Sequence, residues 1–118
     1  MTPFGEKLRA MRAERGVQLK AMAKALGVTP AYLSALEHGQ RGRPNRYFVR
    51  KVCAYFNIIW DEAEELQALA QLSHPRVTVD TAGLSPEATE LANRLAERIE
   101  KLDAETVRRM LQILDGKS

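Results

Sequence analysis

Apolar positions recur at helical spacing along almost the whole chain. Thr2-Pro3 predicts an N-cap followed by proline at the first helical position. Phe4, Leu8 and Met11 then repeat every three or four residues until Gly16. A second short helix is expected from about Leu19 to Leu26, with Leu19, Met22, Ala23 and Leu26 inward and Gly27 ending it in the left-handed conformation. Thr29-Pro30 repeats the cap-plus-proline start. The third helix turns Leu33 and Leu36 inward and ends near Gly39. After the polar loop Gly39-Gln40-Arg41-Gly42-Arg43-Pro44, Asn45 is placed to cap a fourth helix with Val49, Val52, Cys53 and Phe56 inward. Asn57 stands where a terminating glycine is often found. A fifth helix is expected over roughly Trp60 to Leu72, with Asp61, Glu62, Glu64 and Glu65 near its positive end.

Ser73-His74-Pro75 breaks this pattern, and residues 74–84 read as a linker. Within it Val77-Thr78-Val79-Asp80 alternates, the pattern of a short strand. Ser85-Pro86-Glu87 then opens a strongly periodic helix whose stripe is Leu84, Ala88, Leu91, Leu95, Ile99 and Leu102. Asp103 is placed to cap a last helix carrying Val107, Met110, Leu111 and Leu114. The pattern predicts an all-α chain with a domain over 1–73, a linker over 74–84 and a helical segment over 85–118.

Composition refines this picture. With 45% hydrophobic and 6% aromatic residues, the core is expected to be mostly Leu, Ala and Val. No run of 18 apolar residues is present, and MTPFGEKLRA lacks the apolar stretch of a signal peptide. The single cysteine, Cys53, rules out an internal disulfide and a cysteine-based zinc site, and its apolar neighbours make it a buried small hydrophobe. A soluble cytosolic protein is the expectation. The net charge of +3 conceals a division: residues 1–56 carry eleven basic and three acidic side chains, and residues 57–118 carry seven basic and twelve acidic. The front half is therefore +8 and the back half −5, which points to a polyanion-binding front.

The segment QLKAMAKALGVTPAYLSALEHG, residues 18–39, carries the most information. Two short helices crossing steeply around a tight turn make demands at fixed spacings. A small residue is needed at the crossing, and Ala23 supplies it. A residue that tolerates positive φ is needed in the turn, and Gly27 supplies it. Val28 tucks the turn under, and Leu33 and Leu36 face inward from the second helix. All five demands are met in register.

Residues 4–72 resemble the XRE-type (Cro/repressor-like) helix-turn-helix domain. The matching pieces are Leu8-Arg9-x-x-Arg12, Gly16, Leu19-Lys20-x-Met22-Ala23, Leu26-Gly27-Val28-Thr29-Pro30, Tyr32-Leu33-Ser34, Leu36-Glu37-x-Gly39, Arg43-Pro44 and Ile58 through Glu62. The resemblance implies a five-helix domain of a bacterial or phage-type, nucleoid-associated regulator of transcription, a repressor rather than an activator. Its third helix would lie in the major groove of double-stranded DNA. The residues facing the bases would be Thr29, Ala31, Tyr32, Ser34 and Ala35. Those facing the DNA backbone would be Gln18, Lys20, His38, Arg41, Arg43 and Arg46. Many relatives place a glutamine at the position held here by Leu19. The reading helix also lacks Gln, Asn and Arg, the side chains that give bidentate base contacts, which leaves discrimination modest or carried by DNA shape. Arg12 and Glu37 match a pair that bridges the first helix to the end of the third, so a structural ion pair is expected.

The apolar stripe of the last two helices must be covered. Packing within the chain, a homodimer interface and docking of another protein, such as a toxin or a polymerase subunit, all remain open. A dimer is favoured, because a domain of about 70 residues reads few base pairs alone and two-fold pairing doubles its site. Its interface would use Leu91, Leu95, Ile99, Leu102, Val107, Met110, Leu111 and Leu114. An antitoxin would combine DNA and protein binding. No enzyme, metal site or cofactor is expected: His38 and His74 are the only histidines, and there is no phosphate-binding glycine loop.

Overall fold

The computed structural model describes residues 1–41 and 43–116, so Gly42 of the polar loop and the last two residues of the 85–118 segment lie outside the described residues. It divides into two units, Met1–Val77 and Thr78–Ser118. The first holds five helices: α1 (Pro3–Arg15), α2 (Leu19–Leu26), α3 (Pro30–Glu37), α4 (Arg46–Phe56) and α5 (Trp60–Gln71). The second holds α6 (Pro86–Arg98), a 3₁₀ turn (Ile99–Lys101) and α7 (Ala104–Leu114). The division falls inside the 74–84 stretch read as a linker. The all-α class and the five-helix first domain are as expected.

Short polar side chains set where the helices begin. Thr2 Oγ1 accepts from the Gly5 amide at 3.1 Å, Thr29 Oγ1 from Tyr32 at 3.0 Å and Asn45 Oδ1 from Phe48 at 2.7 Å. Ser85 and Asp103 cap α6 and α7 in the same way. Each cap satisfies an amide that the helix itself leaves unpaired. The Asp103 carboxyl is held below the usual carboxylate range by its bonds to Thr106. Helix α5 differs. Ile59 offers no side-chain cap, and Trp60 starts the helix at φ 56°, a left-handed conformation rare for an aromatic residue.

One sequence expectation is corrected. Residues 77–80 form no strand: a strand needs a ladder partner, and among the described residues no strand is present to pair with. Val77 and Val79 are both exposed. The core is mostly Leu, Ala and Val, as composition implied, and it also takes in the aromatic rings of the domain's phenylalanines. All three phenylalanines, Phe4, Phe48 and Phe56, are buried with Leu8, Met22, Leu26, Leu33, Val49, Val52 and Leu66. A low aromatic count constrains how many rings exist, not where they go. Cys53 is buried, and burial pushes its thiol upward.

Three contacts fix α3 in the domain. A Cβ on Gly5 would lie 2.5 Å from the carbonyl oxygen of Leu36 and 2.9 Å from that of Glu37, so α1 touches the end of α3 backbone to backbone. Arg12 grips the almost fully buried Glu37 with two bonds, Nε to Oε2 at 2.8 Å and Nη2 to Oε1 at 3.1 Å. This raises the Arg12 guanidinium above its ordinary value. Arg12 Nη1 also donates to the carbonyl of Val17 at 3.1 Å, which ties the α1–α2 turn into the same cluster. At the opposite end of α1, Ser73 Oγ accepts from the Phe4 amide at 2.9 Å and donates to the Leu69 carbonyl, so the buried serine after α5 closes the domain on its first helix.

Gly5→Ala is expected to lose about 1–3 kcal/mol in urea unfolding, because the methyl meets backbone that has nowhere to move. Arg12→Ala should lose about 2–4 kcal/mol by stranding a buried carboxylate. The double change Arg12→Leu, Glu37→Met should recover most of that loss, and a double-mutant cycle reads the coupling.

Candidate nucleic-acid interface

Helix α2 ends at Gly27, whose φ of 73° sits in the left-handed region. The Val28 amide returns to the Ala23 carbonyl at 3.0 Å, and the Val28 side chain packs on the core. This closes the turn and starts α3 at Thr29, so α2 and α3 leave the turn as a single braced unit. Ala23 is fully buried, as the crossing requires.

The five residues expected to face bases do not stand alike. Thr29 and Ala31 are exposed, whereas Tyr32, Ser34 and Ala35 are half-buried. Thr29 Oγ1 is occupied as the cap of α3, so its remaining capacity is to donate its own hydroxyl proton. The Tyr32 ring meets Phe48 edge-on at 6.0 Å between centroids, and the Arg41 guanidinium sits 5.7 Å from the Tyr32 centroid. The Tyr32 ring is thus packed between Phe48 and the Arg41 guanidinium.

The backbone-facing set is dispersed. Gln18 caps α2 without a side-chain bond to it, and both Gln18 and Lys20 are exposed. Arg43 donates to Gln71 Oε1 on α5, which directs it toward the end of that helix. Arg46 lines an open groove between α4 and α5 with Arg50 and Glu64. His38 Nδ1 lies 2.8 Å from the Ser34 carbonyl. A carbonyl only accepts, so Nδ1 carries the proton in this contact.

Two residues that sequence reasoning passed over join the turn. An open groove at the start of α3 is walled by Gly27, Val28, Thr29 and Tyr32 on one side and by Tyr47, Phe48 and Lys51 of α4 on the other. Lys51 Nζ lies 5.4 Å from the Tyr47 ring centroid and reaches Gly27, while Tyr47 is exposed. Their i, i+4 spacing was visible in the sequence. Nothing in it said which outer face of α4 meets α3. The groove can hold a sugar–phosphate strand: an apolar wall for the sugar and an ammonium for the phosphate. Among the described residues no group of three His, Cys, Asp or Glu could hold a metal ion, and no helix is long and apolar enough to cross a membrane.

The sequence profile of a family described as a helix-turn-helix domain matches residues 3–66. The chain is 36% identical over 61 residues to the HTH-type transcriptional repressor RghR of Bacillus subtilis, covering 52% of this chain and 45% of that protein. It is 31% identical over 61 residues to the HTH-type regulator RghRB of the same organism, covering 52% and 44%. It is 31% identical over 73 residues to the HTH-type transcriptional regulator SinR, also of Bacillus subtilis, covering 58% and 66%. The chain thus spans less than half the length of two of these relatives. No solved structure gives a significant match. The profile match takes in all of α1 to α4, including the α2–Gly27–α3 turn and the crossing that braces it, and covers more than half the chain, so the chain belongs to the helix-turn-helix domain family, in keeping with its XRE-type resemblance.

Proposed function

We propose that this protein is a sequence-specific, double-stranded-DNA-binding regulator of transcription, not an enzyme, that acts as a repressor on the nucleoid in the cytoplasm. Helix α3 enters the major groove with Thr29, Ala31, Ser34 and Ala35 toward the bases. Lys20, Arg41, Arg43 and Arg46, joined by Lys51 and Tyr47, hold the flanking phosphates. The observation that carries this reading is the braced α2–Gly27–α3 turn opening on a groove with a lysine at its rim, on a half-chain with a charge of +8. Similarity to a protein named as a repressor supports the sign of regulation. Because α3 offers hydroxyls and methyls and no amide or guanidinium, affinity rests largely on phosphates and on pairing of two copies.

The second copy is held through the 78–116 unit. None of Leu91, Leu95, Ile99, Leu102, Val107, Met110, Leu111 and Leu114 is buried in the single chain, and Leu91, Ile99, Leu111 and Leu114 are each more than half exposed. Leu95, Ile99 and Leu102 face Val107, Met110 and Leu111 across an apolar groove. A surface of this kind left in water favours association.

Fluorescence anisotropy with DNA selected from a random pool tests the reading. Lys51→Ala and Arg43→Ala should weaken binding about three- to tenfold on every sequence and lower the salt slope by about 1. Ser34→Ala and Tyr32→Phe should change the order of preferred sequences. Absence of DNA binding at low salt overturns the proposal. Light scattering of the full chain is expected to return a dimer, and Leu91→Glu a monomer that binds DNA more weakly.

A further inference from the structure

Helix α6 carries its charges unevenly about its apolar stripe. With 3.6 residues per turn, Ala88, Leu91 and Leu95 define the stripe, and Ile99 extends it. Glu87, Arg94 and Arg98 fall on one flank, with Glu90 behind them. The opposite flank holds Thr89, Ala92 and Ala96 and no charge. Glu97 and Glu100 point away from both. Along the charged flank the sign changes from one end to the other: Glu87 and Glu90 first, Arg94 and Arg98 last. Glu90 is taken by Arg94 in its own helix at 2.7 Å. Glu87 and Arg98 have no salt-bridge partner among the described residues.

Resting on the dimer reading above, we infer that α6 pairs with α6 of a second copy in the antiparallel sense. Two facts of helix geometry select this arrangement. In a parallel pair the charged flank of each helix meets the uncharged flank of the other, and no ion pair forms. In an antiparallel pair like flanks meet with their directions reversed, so the acidic end of each helix faces the basic end of its mate. The apolar residues agree in register. Setting Leu91 against Leu95 of the second copy brings Glu87 within one residue, about 1.5 Å of axial rise, of level with Arg98. The two-fold axis then passes near Asn93, and each junction is made twice. The small Ala88 comes within one residue of level with the bulkier Ile99, a combination that interdigitates across two helices.

Charge exchange in the full-length chain tests this, with sedimentation equilibrium at low salt as the readout and circular dichroism confirming helix content. Glu87→Arg alone, or Arg98→Glu alone, sets like charges together twice and should weaken the dimer on the order of tenfold. The double variant Glu87→Arg, Arg98→Glu should return to within about threefold of the starting chain, and the differences should shrink at high salt. A dimer that either single change leaves untouched, or that the double change fails to restore, overturns the antiparallel pairing while the dimer reading stands. A full-length chain that is monomeric at every concentration tested overturns both.

Discussion

The crossing of α1 over the last turn of α3 is made at backbone contact because residue 5 has no side chain, and the placement of α3 is built on it. Gly5 lets α1 lie against the carbonyls of Leu36 and Glu37, and Arg12, two turns later on the same helix, grips the Glu37 carboxylate from the side. A steric and an electrostatic constraint thus act on the same end of α3. Burying Glu37 is expensive on its own and tolerable only with a guanidinium in bidentate contact. The exchange gives a defined orientation to a helix of eight residues that would not be stable in isolation.

From that fixed end the start of α3 projects with little freedom. Gly27 turns the chain, Val28 anchors it, and Thr29 caps the helix with the oxygen that would otherwise be free to bind. The side chains that surround this start are themselves held. Tyr32 lies between Phe48 and Arg41, and Lys51 covers Tyr47. Pre-positioned cations lose less conformational entropy on meeting a phosphate than free ones. In the proposed reading this compensates for a reading helix without amides.

The second unit follows a different logic. Its helices are well capped and strongly amphipathic, yet none of its described residues is buried. Local chemistry is sufficient to define these helices, and too little surface is enclosed to make a core. The proposed dimer supplies the missing layer, and the sign change along the flank of α6 supplies a direction for it.

Most of the fold was legible in the sequence, because helix starts and stops are local events. Thr2, Thr29, Asn45, Ser85 and Asp103 announced five caps, and Gly16, Gly27 and Asn57 announced three ends. The one false local signal, the alternation at 77–80, failed because a strand is defined by its neighbour and not by its own residues. The site was legible only in part. Spacing identified the turn, and the family resemblance pointed to the Arg12–Glu37 pair. The sequence could not show that Gly5 is a contact point, that Ser73 reaches Phe4, or that Lys51 and Tyr47 stand beside Gly27, since each joins positions far apart in the chain. Nor could it reveal that the Tyr32 ring packs on Phe48 or that His38 donates to the Ser34 carbonyl. The sequence by itself determined the helices, their order and the inward face of each, which depend on neighbours within a few residues. Only the tertiary structure decided which outer faces meet, because that follows from how the helices cross, and the crossings are set by buried volume and by a single missing side chain.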